Sequence, residues 1–328
     1  MPSHPPCIDA RRRNTLLQAV AAIFAPASLT RAEGSTLRLV VPFTPGGSTD
    51  ILARAIAPRL GQAGQTVVVD NRPGAGGSLG ADLVARAEPD GNTLLMGHIG
   101  TLAVNVSIYP KLPYDPIKSF TPVAWVARVP NVLVVTAASG ITSLKELVAR
   151  AKASPGKLTY SSGGNGSAAH IAFEYLKLRT GIFMAHIPYR GTAPSVTDLL
   201  GGQIDATFTG APAVLPHIRS GRLRALAVSS AQRLASLPDV PTVTESGYPG
   251  FEADQWYGVV APAGTPEAVV ARLNAAVNAA LSAPEVVQQL AGEGALPMQT
   301  TPKAFGELIA REIPRWKEVV RAGNVKPD

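Results

Sequence analysis

The chain has 328 residues, enough for one large domain or for two lobes of ordinary size. With 46% hydrophobic and only 16% charged residues it can bury a large core, which excludes disorder over most of its length. The net charge is +7, but aromatics are only 5% and the basic residues stand singly apart from Arg11, Arg12 and Arg13, so a small anionic ligand is expected and nucleic acid is not.

The N-terminus reads as an export signal. Arg11, Arg12 and Arg13 precede a short apolar run at 16–25, then Pro26 and small residues, with a cleavage position after Ala32. An amphipathic first helix is the competing reading of the same residues. Cleavage removes four arginines and one aspartate, and takes away Cys7, the only cysteine. Neither a disulfide nor a thiolate metal site is then expected in the mature chain. No apolar run reaches the roughly 18 residues that span a bilayer, so an exported soluble protein is expected.

Beyond this leader, strands and helices alternate. Residues 37–43 (LRLVVPF) form an apolar run rich in branched side chains, hence a buried strand. A loop at 44–48 leads into a helix pattern at 50–57. Strand 66–70, a glycine loop at 71–77, helix 79–87 and strand 93–97 follow. This βαβαβ order predicts a parallel sheet with right-handed crossovers. A second set runs from strand 131–136 through helix 143–153, which Ser143 and Glu146 open as a capping box. Strands at 158–161, 185–189, 204–209 and 223–229 then alternate with helices at 168–179, 193–200 and 213–220. One more strand is expected at 256–262, followed by helices at 266–282, 284–291 and 302–322, with a kink at Pro314.

The stretches 110–129 and 231–254 are rich in Pro, Ser and Asp and read as hinges. The expected organisation is a leader at 1–32, one lobe from 33–129 with 236–328, and a second lobe at 130–235. One continuous sheet is the alternative.

Three glycine loops follow strands and precede helices: 42–50 (PFTPGGSTD), 72–78 (RPGAGGS) and 161–167 (SSGGNGS). Glycine lets a ligand approach the peptide N–H groups, and a helix N-terminus adds unpaired donors and partial positive charge. In an open α/β sheet such loops lie at the carboxyl ends of the strands, where ligands bind. Nucleotide motifs fail on spacing: Leu79 stands where the third glycine of G-x-G-x-x-G belongs, and Ala151 where a P-loop before Gly156 and Lys157 needs its first. Residues 76–80 match G-x-S-x-G around Ser78, but five residues separate the serine's glycines from the end of the strand, too many for a nucleophile elbow. Asp205 and His217 keep the order of a hydrolase triad and leave that reading open. His98 at a strand end and His170 in a first helical turn are candidate donors to a carboxylate, whereas His186 and His217 read as structural. None has metal-ligand spacing. Asp50 reads as a helix-start cap or as the partner of a ligand amine.

The first two of these loops, together with PDGNTLL at 89–95, KLPYDP at 111–116, AKASPGKL at 151–158, PYRGTAP at 188–194, LPDVPT at 237–242 and APAGTP at 261–266, resemble the Bug receptors, the extracytoplasmic solute-binding proteins of tripartite tricarboxylate transporters. The resemblance runs in order through essentially the whole mature chain. It implies a type II periplasmic-binding-protein fold, in which two α/β lobes close on a small di- or tricarboxylate or aromatic acid without catalysis, cofactor or metal. The implied partners are the permease subunits of such a transporter or a sensor protein, served by a periplasmic monomer. By position it implicates Thr44, Gly47, Ser48 and Thr49 in the first loop, and Gly76, Gly77 and Ser78 in the second. In the other lobe Ser162, Gly163, Gly166 and Ser167 correspond, with Thr192 and Ala193 after them. His98, Asn165 and Thr209 depart from the pattern of relatives and are expected to set specificity.

Overall fold

Two mixed β-sheets carry the fold in the computed structural model, which describes residues 1, 3, 36–61 and 65–327. The expected leader, its cleavage position and Cys7 lie outside the described residues. Every described residue from Thr36 on belongs to one unit. The first part of the chain supplies β1 (Thr36–Val41), α1 (Ser48–Leu60), β2 (Thr66–Asn71), α2 (Ser78–Ala85), β3 (Thr93–His98), α3 (Asn105–Ile108) and β4 (Phe120–Val129). The middle supplies β5 (Asn131–Thr136), α4 (Leu144–Ala153), β6 (Thr159–Ser162), α5 (Ala168–Thr180), β7 (Ala185–Pro188), α6 (Thr192–Leu200), β8 (Ala206–Gly210), α7 (Ala211–Arg219) and β9 (Leu223–Val228). The last part adds β10 (Gln255–Pro262), α8 (Glu267–Ser282), α9 (Pro284–Gly292), β11 (Leu296–Pro297) and α10 (Pro302–Ala322).

The first sheet runs β11-β4-β10-β3-β1-β2 and the second β7-β6-β8-β5-β9. The chain leaves the first sheet between Val129 and Asn131 and returns between Val228 and Gln255. β1 is buried on both faces toward its C-terminal end, where Leu37, Leu39 and Val41 join one core cluster and Val40 another, while the half-buried Arg38 pairs with Asp70 of β2.

The βαβαβ expectation is borne out, since β1 runs parallel to both β2 and β3, and β10 then enters antiparallel between β3 and β4. Other expectations need correction. The stretch 110–129 is not all connector, for its last ten residues are β4, an inner strand. Pro122, one of the prolines of that stretch, sits opposite Val260 beside a register shift, where a missing N–H is tolerated. α10 runs unbroken through Pro314. The capping box on α4 is also shifted by one residue: Ser143 Oγ accepts from the Glu146 N–H, while the Glu146 carboxylate accepts from the Thr142 N–H and hydroxyl.

α10 buries Phe305, Leu308, Ile309, Glu312, Trp316 and Val320, one stripe at helical spacing. It packs on β4 and α3 and also on α5, which flanks the second sheet. The largest core cluster accordingly contains residues from both sheets.

Candidate functional site

Three helix N-termini meet where the two sheets' loops face each other. Gly47 is the N-cap of α1, Ser167 of α5 and Gly191 of α6. Gly47 and Thr49 reach the same small chamber as Ser167, Ala168, Ala169 and Thr192. No side chain caps α1 or α6, so the first-turn N–H groups of both are left as donors beside this chamber. Ser167 caps α5, its hydroxyl accepting from the His170 N–H at 3.4 Å. Convergent N–H groups and dipoles of this kind suit one oxygen anion. The chamber measures about 10 Å³ with the lobes in this arrangement, which is room for about one water.

Phe43, His98, Gln255 and Tyr257 close the first-lobe side, and Gly163 and Thr209 complete the second. Tyr257 pairs with His98 across the antiparallel β10–β3 ladder, which brings both rings to one end of the sheet. His98 lies 4.6 Å from Phe43 and 5.9 Å from Tyr257, ring to ring. Its Nδ1 accepts the Thr101 N–H at 3.2 Å, which leaves the ring proton on Nε2. Burial lowers its pKa to about 4, so it is neutral at pH 7. Burial likewise raises the Tyr257 pKa and keeps its O–H protonated. That O–H donates to Gln255 Oε1, Gln255 Nε2 donates to Asn131 Oδ1, and Asn131 Nδ2 donates to the Ala253 carbonyl. The chamber is thus tied by hydrogen bonds to both places where the chain crosses between sheets.

A second, larger cavity of about 540 Å³ opens outward and shares Phe43 and Gly163 with the chamber. Gly76 and Gly77 line it. Residues 74–77 all have positive φ, and for Ala75 (φ 48°) that conformation is strained. Asn105 holds this turn, donating to the Gly76 carbonyl at 3.1 Å and to Ser78 Oγ at 2.9 Å.

The remaining expected residues line neither cavity. Thr44 Oγ1 and Ser48 Oγ are buried without a well-formed hydrogen bond, the first against Gly191 and the second between Gly210 and Tyr257. Ser162 Oγ bonds His186 Nε2 at 2.7 Å, and His170 stacks on His186 at 3.8 Å while its Nδ1 accepts the Gly166 N–H. Ser162, Gly166 and His170 therefore shape the third loop from beneath. Ala193 lies against Gly46, 3.6 Å from where a side chain there would start. Asp50 is not the cap, because α1 begins at Ser48. Its carboxylate accepts from the Gly46 N–H, Arg54 and Asn71. Burial opposes its ionisation, but those bonds prevail and lower its pKa. It braces the first loop from behind.

The hydrolase reading finds no triad. Ser78 is bonded to Asn105 and Asp205 to Thr159, and no hydrogen bond among the described residues joins Ser78 to Asp205 or His217. Sequence reasoning missed Phe43, Asn105, Gln255 and Tyr257. Gln255 and Tyr257 lie far along the chain from the loops they complete, and only the antiparallel insertion of β10 brings them there.

Two α/β lobes with a polar cleft between their loops define a periplasmic solute-binding protein, and solved proteins of that class share this architecture. The chain belongs to the tripartite tricarboxylate transporter family of receptors, whose family model matches residues 52–325. It is 44% identical over 310 residues to protein BugT of Bordetella pertussis, covering 94% of this chain and 95% of that one. A Rhodopseudomonas palustris protein solved with adipate is 39% identical, with a TM-score of 0.86 over 89% of this chain and 98% of its own. MatC from Rhodopseudomonas palustris, solved with bound malate, is 38% identical, with a TM-score of 0.83 over 87% and 98%. The resemblance read from the sequence is thereby confirmed. The family is one of periplasmic transport receptors and not of enzymes. Among the described residues no helix is long and apolar enough to cross a membrane.

Proposed function

We propose that this protein captures a small carboxylate by closing its two lobes on it and delivers the acid to the permease subunits of a tripartite tricarboxylate-type transporter. The single observation that carries this reading is the convergence of the α1, α5 and α6 N-termini on one chamber that no Lys or Arg lines. Peptide N–H groups, with His98 Nε2–H beside them, are the donors this geometry offers to a carboxylate. The adipate and malate bound by the two Rhodopseudomonas proteins point to the same ligand class. Gly47, Thr49, Ser167 and Thr192 form the grip in this reading, backed by Thr44, Ser48 and Ala193, with Gly76 and Gly77 at the mouth and Ser78 behind them. His98 and Thr209 discriminate among acids. The exported chain loses 1–32, and its lobes, 33–129 with 236–328 and 130–235, act as a monomer.

A chamber of this size admits an acid only when the lobes part, so binding and closure are one equilibrium. Gly76 tests that link. A Cβ there would overlap the Asn165 carbonyl of the other lobe. Gly76→Ala is expected to weaken acid binding by about 1–3 kcal/mol, the usual cost of overpacking, or on the order of tenfold to a hundredfold in Kd. Gly181→Ala is the control, because it has a similar positive φ (66°) and nothing within 4 Å. Equal affinities in calorimetry for the two variants would mean that the lobes need not approach this closely.

The ligand class is tested by thermal unfolding of protein stripped of bound ligand, against succinate, malate, citrate, adipate, aromatic acids and acidic amino acids. A ligand at 100 times its Kd adds about 2.7 kcal/mol, which raises Tm by roughly 5–10 °C. A rise with one or two related acids supports carboxylate capture, and an unmoved midpoint with all of them refutes it.

A further inference from the structure

We infer that Gln255 is a positioning residue for lobe closure: its amide joins Asn131 of the second sheet to Tyr257 in the chamber while the lobes are together, and this join breaks when they part. The inference rests on the carboxylate-capture reading and adds to it what holds the loaded cleft shut. Gln255 opens β10 and pairs with Val129, so it belongs to the first sheet. Asn131 opens β5 and pairs with Gly210, so it belongs to the second. Ala253 is still tied to the second lobe, its N–H donating to the Ser229 carbonyl at 3.3 Å. The return crossing therefore narrows to Asp254. The Asn131 amide brackets that residue, with Nδ2 on the Ala253 carbonyl and Oδ1 on Gln255 Nε2. Rotation at Asp254 changes the separation of those two partners, so both bonds suit one lobe angle. Asn131, Gln255 and Tyr257 are all buried, and a broken join leaves amide groups unpaired until water reaches them. Gly210 shows how closely the lobes meet here: a Cβ on it would stand 2.6 Å from Ser48 Oγ and 3.3 Å from Gln255 Nε2.

The direction of every bond in this chain is fixed at its far end. The Ala253 carbonyl only accepts, so Asn131 turns Nδ2 to it and Oδ1 to Gln255. Gln255 then donates through Nε2, and its Oε1 takes the Tyr257 proton. A glutamate at this position separates the role from plain packing. Ionised, it still accepts from Tyr257 but has nothing to donate to Asn131. Protonated, it regains an O–H donor and restores the pattern. Burial carries a glutamate's pKa as high as about 8, so the change is expected between pH 8.5 and 6. The charged groups around position 255 are Asp254 and Glu252, both on Arg128, and on α10 Glu312 with Arg315, and Arg311. On the chamber side His98 and Tyr257 are neutral over this range. The wild type carries all of these, so each variant is compared with it at the same pH.

Calorimetry with malate and adipate, or with whichever acid of the wider panel raises Tm, reads the effect at both pH values. Gln255→Glu is expected to bind about tenfold more weakly than the wild type at pH 8.5, and within about twofold of it at pH 6. Gln255→Met pairs at neither pH and is expected to bind about tenfold more weakly at both. In stopped-flow the loss is expected as faster release with unchanged capture. Thermal unfolding checks that each variant is folded, and where Gln255→Glu is not folded at pH 8.5, Gln255→Met and its release rate carry the test. Wild-type affinity in Gln255→Met, or a Gln255→Glu affinity that keeps one ratio to the wild type at both pH values, overturns the role while leaving capture in the chamber intact. Binding of no acid in the panel by the wild type refutes capture itself and the positioning role with it.

Discussion

Between pH 7.5 and 5.5 the protein is expected to lose about 4 kcal/mol of stability, borne by two buried histidines and a half-buried third. Burial lowers the pKa of His98 to about 4. Burial also lowers His170, to about 2, with His186 and Lys177 adding to the shift, and His186 to about 4, with Lys177 contributing. In the unfolded chain all three take up a proton near pH 6.5. The folded protein holds them neutral well below that. Unfolding therefore binds protons as the pH falls, and each ring costs about 1.4 kcal/mol per pH unit below 6.5 until its folded pKa is reached. The geometry agrees with the direction of the shifts. His170 and His186 stack on each other, Tyr160 stacks on His186 at 4.8 Å, and the Tyr160 hydroxyl is committed to Glu174. Lys177 sits 2.7 Å from the same carboxylate and repels any proton on the rings. Because the folded protein keeps these rings neutral across this range, their hold on Ser162 and Gly166 is unchanged, and affinity for the acid should stay level while stability falls. A thermal midpoint that stays flat from pH 7.5 to 5.5 would contradict this, and His186→Asn should flatten the slope by removing one titrating group.

Trp316→Ala should cost about 3–5 kcal/mol, as truncation of a fully buried aromatic does. Trp316 is 2% exposed, its indole N–H donates to Glu312 at 2.8 Å, and its ring meets Tyr175 edge-on at 6.3 Å. Tyr175 lies on α5, so this one side chain joins the helix that closes the chain to the lobe across the cleft. Truncation leaves a cavity in the cluster that both sheets share and removes one of the donors to the buried Glu312, which keeps those from Trp256 and Arg315. Tm should drop by roughly 6–15 °C, in one transition if the two lobes unfold together. A drop of under about 2 °C would show that α10 is an ornament on the first lobe. Two separated transitions would show that it does not couple them.

The parts of this arrangement legible in the sequence are those written locally. A glycine loop that ends a strand and starts a helix puts N–H donors at the carboxyl edge of a sheet, and the loops around Gly47 and Gly163 do line the chamber. The loop around Gly76 obeys the same rule yet faces the mouth, because which sheet edge it joins is a matter of strand order. β4 is obscured by the Pro, Ser and Asp content of 110–129, and the cost of Pro122 disappears at a bulge that only β10 reveals. Gln255 and Tyr257 carry no local mark at all. They become site residues because β10 returns from the second lobe antiparallel to β3 and sets Tyr257 against His98. His186 reads as structural in sequence, and its bond to Ser162 shows what that structure serves.

The central claim is that a carboxylate is held by the N-termini of α1, α5 and α6. Amide NMR of the exported form, titrated with an acid that raises Tm, tests it most directly. The account predicts that the N–H signals of Ser48, Thr49, Ala168, Ala169 and Thr192 move together, downfield, with one binding constant. Shifts that leave these five amides in place and cluster elsewhere on the protein would contradict it.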